Sequence, residues 1–272
     1  MSAAVLTASA PATAPVRAVI PQLAVGESRR LLRHPLMLLA FGFYAFGTAM
    51  AFVQGIKVVQ AFEMVTATLS FFPGIPAILV AHMVVTRDRR AGTNDLLTAV
   101  PARREERVWA MGLASTAPGA VALLLNVGVY AALRATGEFE QAPTVWHVVQ
   151  APLTVLGACL LGTMVAVWAP NLVAPVVTMV ALVAAHLAIA EHSPAMLFGT
   201  AIFWVDWGPF DGSVWVGLHP GSAAWHQLYL VGLCGMALAA AVVRVAERRT
   251  VPVVLGIVSV GVALLGGLAQ LP

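Results

Sequence analysis

Charge is what this chain has least of. Only 10% of its 272 residues are Asp, Glu, Lys or Arg, and the basic ones include a single lysine, Lys57. A soluble domain carries about 25% charged residues, so an ordinary water-facing surface cannot be built from this composition. Cysteine is equally sparse. Cys159 and Cys234 both fall within long apolar runs, which argues against a stabilising extracellular disulfide or a thiol redox motif and leaves them as small packing residues. No GxxxxGK[ST] stretch is present, so the chain has no phosphate-binding loop of its own. HExxH and CxxC spacings are also missing. His186, Glu191, His192, His219 and His226 gather towards one side of the sequence map, without the tight pairing that a zinc centre needs. An intramembrane hydrolase would require a nucleophile with its base, or two aspartates, within the apolar segments; Asp206 and Asp211 lie outside them.

What is abundant is apolar: 60% of residues, with a mean hydropathy of +0.88. Apolar stretches near the length that crosses a bilayer, about 20 residues, recur along the chain. The spacing predicts an all-α polytopic membrane protein with seven spans: Pro35 to Val53, Phe62 to Val85, Val108 to Leu133, Val148 to Trp168, Leu172 to Ala190, Leu228 to Val243 and Val251 to Leu271. Residues 1–20 read as a disordered tail, being Ala-, Pro- and Thr-rich without the charged and apolar regions of a secretory signal. Pro21 to His34 mixes leucines with Glu27, Arg29, Arg30 and Arg33 and reads as a helix lying on the membrane surface; the plainer reading is a basic flank to the first span. Glu191 to His226 is too long for a simple connector. It carries an apolar piece too short to span, with Trp204, Trp207, Trp215 and Trp225 placed for headgroup anchoring, and is expected to dip into the outer leaflet.

Arginines sort the sides. With the N-terminus inside, nearly every arginine falls on the cytoplasmic side and only Lys57 and Arg134 fall outside. Within the spans, Pro73-Gly74-Ile75-Pro76 and Pro118 remove backbone donors and permit bends, as hinges or as fixed kinks. Gly157, Ala158 and Gly162 on the fourth span allow close helix contact.

The loop of residues 87–107 packs much of the charge into one polar segment: Asp88, Arg89, Arg90, Gly92, Thr93, Asp95, Leu96, Leu97, Pro101, Arg103, Arg104 and Glu105. Gly92 supplies a turn and Thr93 a helix N-cap; Leu96 and Leu97 can fill an apolar groove on a soluble partner while the charges set register. The alternative is a solvated loop that merely obeys the distribution of positive charge. In order and spacing, Asp88, Gly92-Thr93, Asp95-Leu96-Leu97, Pro101, Arg103-Arg104 and Glu105 resemble the loop of the ABC-2 type permease family, the membrane subunits of bacterial ATP-driven exporters. Glu27 to Pro35 is similar to that family's entry into its first span.

The resemblance implies a six-helix exporter core within residues 21–250, with residues 251–272 as an additional helix that departs from the family's usual six spans. It further implies a non-catalytic subunit that binds no cofactor directly, with ATP and magnesium on a separate ATPase docked at the loop. The expected partners are that ATPase, a second permease subunit, identical or related, and membrane lipid, with no nucleic acid. The expected location is the bacterial plasma membrane with a cytoplasmic N-terminus, and the expected cargo is hydrophobic or amphipathic, moved outward. A different class remains open: a multi-span membrane sensor or scaffold without transport activity, motivated by the seventh span and the large outer segment.

Overall fold

The computed structural model describes residues 19–53, 68–70, 72–92, 102–137, 144–189 and 222–271. Among these no strand occurs, and the helices are α1 (Val19–Arg33), α2 (Pro35–Val53), α3 (Gly74–Val85), α4 (Arg87–Arg90), α5 (Arg104–Ala114), α6 (Thr116–Thr136), α7 (Val145–Trp168), α8 (Val173–Ile189), α9 (Ala223–Val245) and α10 (Thr250–Ala269). Among the described residues, five stretches are long and apolar enough to cross a membrane: Thr68–Val85, Arg104–Thr136, Val145–Trp168, Ala224–Val245 and Thr250–Ala269. Pro35–Met50 and Val173–Ala185 are shorter apolar helices.

Burial runs opposite to that of a soluble protein. Phe46, Ile257 and Leu268 are each about two-thirds exposed, whereas Asn126, Gln150, His82 and His226 are fully buried. Apolar surface of that extent needs a non-aqueous solvent, and polar groups turned inward satisfy one another rather than face hydrocarbon. This is the construction of a membrane-embedded helical protein.

Helix α7 is the hub, packed against α3, α6 and α9. Gly162 lets it approach α3 so closely that a Cβ there would run into the Ile78 backbone. Helices α9 and α10 form a tight antiparallel hairpin on the same principle: a Cβ at Gly232 would strike the Ala263 backbone, one at Gly235 the Ser259 hydroxyl, and one at Gly266 the Tyr229 backbone. The seventh predicted span is therefore joined to the bundle along its length.

The third predicted span lies within the apolar stretch Arg104–Thr136, which a one-residue turn at Ser115 divides into α5 and α6. Pro118 is the cause, because it offers no N–H to the Ala114 carbonyl four residues earlier. That carbonyl instead lies 3.5 Å from the Ser28 hydroxyl of α1. Helix α5 consequently packs along α1, its buried Met111 and Ala114 joining Leu31 in the main core. Pro73 and Pro76 stand at the N-terminal end of α3, where a missing donor costs nothing, so all three prolines start helices. Helix α1 begins at Val19, two residues inside the stretch read as a disordered tail; residues 1–18 lie outside the described set, as does nearly all of the outer segment, residues 190–221.

The helix ends sort into two groups. Interactions at one end join α1 to α4 and α5, α3 to the end of α7, and α7 to the end of α9. At the other end, Asn126 of α6 reaches α7, Gln150 of α7 reaches Gln227 of α9, and His226 of α9 reaches Gln270 beyond α10. The first group carries Arg29, Arg30, Arg33, Arg87, Arg89, Arg90, Arg103, Arg104, Arg107, Arg244, Arg248 and Arg249; the second carries Arg134.

Candidate functional site at the arginine-rich end

The site grows out of α1. Glu27, half-buried on that helix, accepts two hydrogen bonds from the Arg87 guanidinium, at 2.6 and 2.8 Å, and a third from Arg30 at 2.7 Å. A fork of this kind fixes orientation as well as distance, and it ties the surface helix to α4, 60 residues further along the chain. Partial burial works against the Arg87 charge. The hydrogen bonds and charge of Glu27, with Asp88 3.3 Å away, outweigh it and hold the guanidinium above its usual value. His34, in the elbow between α1 and α2, is held below the usual histidine value by desolvation and then by the nearby Arg90 charge; its Nδ1 accepts the Leu36 N–H at 3.3 Å.

Helix α4 is a single turn capped by Ala91 and followed by Gly92, whose φ of +67° is the left-handed conformation glycine adopts without strain. Arg89, Arg90 and Gly92 are exposed and Asp88 half-buried. The chain re-enters the described set at Ala102. There the buried Glu106 carboxylate accepts the Arg103 N–H at 2.8 Å and closes the start of α5, a capping arrangement that also sets acid against the positive end of the helix. Arg103 reaches Glu247, in the turn between α9 and α10, at 3.7 Å.

Between these elements lies an open cleft of about 530 Å³. Asp88, Arg89, Arg103, Arg104 and Arg107 give it a rim with excess positive charge, and Val85, Ala102, Val108 and Ala166 give it an apolar floor. Such a recess suits a protruding segment that brings carboxylates around an apolar tip.

No family model and no curated protein matches this chain.

Of the residues singled out in the loop, the structure brings Asp88, Arg89, Arg103 and Arg104 to one cleft. Thr93, Asp95, Leu96, Leu97 and Pro101 lie outside the described residues. Glu105 is half-buried in the first turn of α5. Arg29, Arg30 and Arg33 of α1 are exposed, while Glu27 turns inwards to Arg87. Sequence reasoning did not single out Arg87, Glu106, Arg107 or Glu247. The only cue available was opposite charge at the ends of separate helices, which does not pair them without a fold. Among the described residues no cluster of three metal-ligating side chains occurs. Of the histidine group noted above, His226 instead shares a 2.8 Å hydrogen bond with Gln270, and residues 191, 192 and 219 are outside the described set.

Proposed function

We propose that this protein is the permease subunit of an ABC-2 type exporter, one half of a transmembrane pathway that carries a hydrophobic or amphipathic substrate outward when a separate ATPase hydrolyses ATP. One observation supports this best: the two ends of the polar loop, on α4 and α5, share a charged cleft with the ends of α7 and α9, and α1 is forked to α4 beside it through Glu27 and Arg87. Force applied to the loop would reach α1 through that fork and α3 through the direct succession of α3 and α4. The rim charges select and orient the ATPase, and the apolar floor, with Leu96 and Leu97 of the loop, provides the buried contact. The arginine-rich end faces the cytoplasm in this reading, in a bacterial plasma membrane. The protein works as a homodimer or with a related permease, and ATP and magnesium stay on the partner.

The test is purification of the tagged protein from its native membrane in mild detergent, followed by mass spectrometry. A Walker-motif ATPase is expected to co-purify. Leu97→Asp is expected to abolish stimulation of that ATPase while the protein still inserts. Reproducible absence of any ATPase, under conditions that keep a known ABC complex together, would instead favour a sensor or scaffold.

A further inference from the structure

The α9–α10 hairpin is tight at the end away from the arginines, where Gly232 and Gly266 bring backbones into contact and Gly235 meets the Ser259 side chain. It loosens towards its own turn: a Cβ on Gly256 would sit an ordinary 3.6 Å from Ala239. There an apolar groove of about 500 Å³ opens on the lipid-facing surface, between Ala240 and Val243 of α9 and Val253 and Ile257 of α10. Trp168, at the end of α7, walls it and is fixed in place by its indole N–H, which donates to the Ala240 carbonyl at 3.0 Å. The Arg244 guanidinium lies over that indole, 5.7 Å from the ring centre.

Arg248 and Arg249 occupy the turn at the same end, exposed like Arg244. Among the described residues none of these three guanidiniums has a carboxylate within 4.0 Å; the one acid of the turn, Glu247, faces Arg103 instead. An apolar trough in the bilayer thus ends in three cations without acidic partners at headgroup level, beside a tryptophan of the kind that sits at that level.

We infer that this groove is a binding site for an anionic phospholipid of the adjoining leaflet, one acyl chain lying against Val253 and Ile257 and the phosphate held by Arg244, Arg248 and Arg249. Charge complementarity decides the occupant, since basic pockets between membrane helices hold anionic headgroups. A zwitterionic lipid would bring a choline cation to the same arginines. The site does not depend on the exporter reading, because it requires only that the arginine-rich end meet a headgroup layer.

The full-length protein, purified and exchanged into nanodiscs of phosphatidylcholine with a quarter phosphatidylglycerol, is extracted and its retained lipids are counted by native mass spectrometry. Phosphatidylglycerol is expected to be enriched over its share of the disc, and the enrichment to fall about fivefold for each arginine removed in Arg244→Gln and Arg249→Gln. Val253→Trp, which fills the exposed trough, is expected to lower retention with all arginines in place. High salt should weaken the enrichment in the unmodified protein, a readout independent of how any variant folds. Equal retention of the two lipids by the unmodified protein overturns the inference, as does enrichment that survives removal of the arginines. Indifference to Val253→Trp overturns the placement of the acyl chain.

Discussion

Pro152 stands within α7 and can give no N–H to the Val148 carbonyl four residues before it. In water that oxygen would hydrate; inside a bilayer it needs a protein donor. Asn126 of α6 supplies one, its Nδ2 donating to the Val148 carbonyl at 2.8 Å from a fully buried position. Proline and asparagine, 26 residues apart, therefore form one unit: each is awkward in a membrane helix alone, and together they join two helices. Asn126→Ala is expected to destabilise the protein by about 1 kcal/mol, the scale of side-chain hydrogen bonds between membrane helices. In a Pro152→Ala background the missing N–H returns, so the same substitution should cost distinctly less. Unfolding in mixed detergent micelles, measured for both singles and the double, reads the difference directly; equal costs in the two backgrounds would dissociate the asparagine from the proline.

At the scale of elements, glycine placement decides which helices touch. Gly162 of α7 faces the Ile78 backbone with no room for a Cβ, whereas Gly128 of α6 has nothing within 4 Å. One chemical change should therefore have opposite signs at the two places. Gly162→Ala forces α3 and α7 apart, at a cost of about 1–3 kcal/mol; Gly128→Ala removes only backbone freedom and should stabilise by about 0.5–1 kcal/mol. Thermal unfolding of both variants in detergent checks this, and a common sign would mean that α3 and α7 are not in backbone contact.

The contrast also indicates what could be read in advance. Helix existence was legible because hydrophobic length and proline punctuation are local: α2 occupies Pro35–Val53 as expected, and Gly162 was visible as a small residue on the fourth span. At Ser115 the sequence offered a bend at Pro118, but that the Ala114 carbonyl there meets Ser28 of α1 was not legible. Nor was the Glu27 and Arg87 fork at the candidate site, because complementary charges 60 residues apart carry no local signature.

For the whole molecule, the question that bears on function is which way it sits in the membrane. Among the described residues, the arrangement of contacts puts twelve arginines at one end of the bundle and Arg134 at the other, an asymmetry that retention of basic residues in the cytoplasm would produce. The native cysteines make this simple to test, because Cys159 and Cys234 are 0% and 7% exposed and should not react. Ala135→Cys places a thiol on an exposed position near the end of α6, and Glu247→Cys places one in the turn between α9 and α10. A membrane-impermeant maleimide applied to intact cells is expected to label the first variant and to reach the second only after permeabilisation. Labelling of Glu247→Cys in intact cells would invert the molecule and turn the charged cleft away from any cytoplasmic ATPase. The exporter reading would then fall, while the phospholipid groove would keep its argument in the opposite leaflet, so the two proposals fail separately.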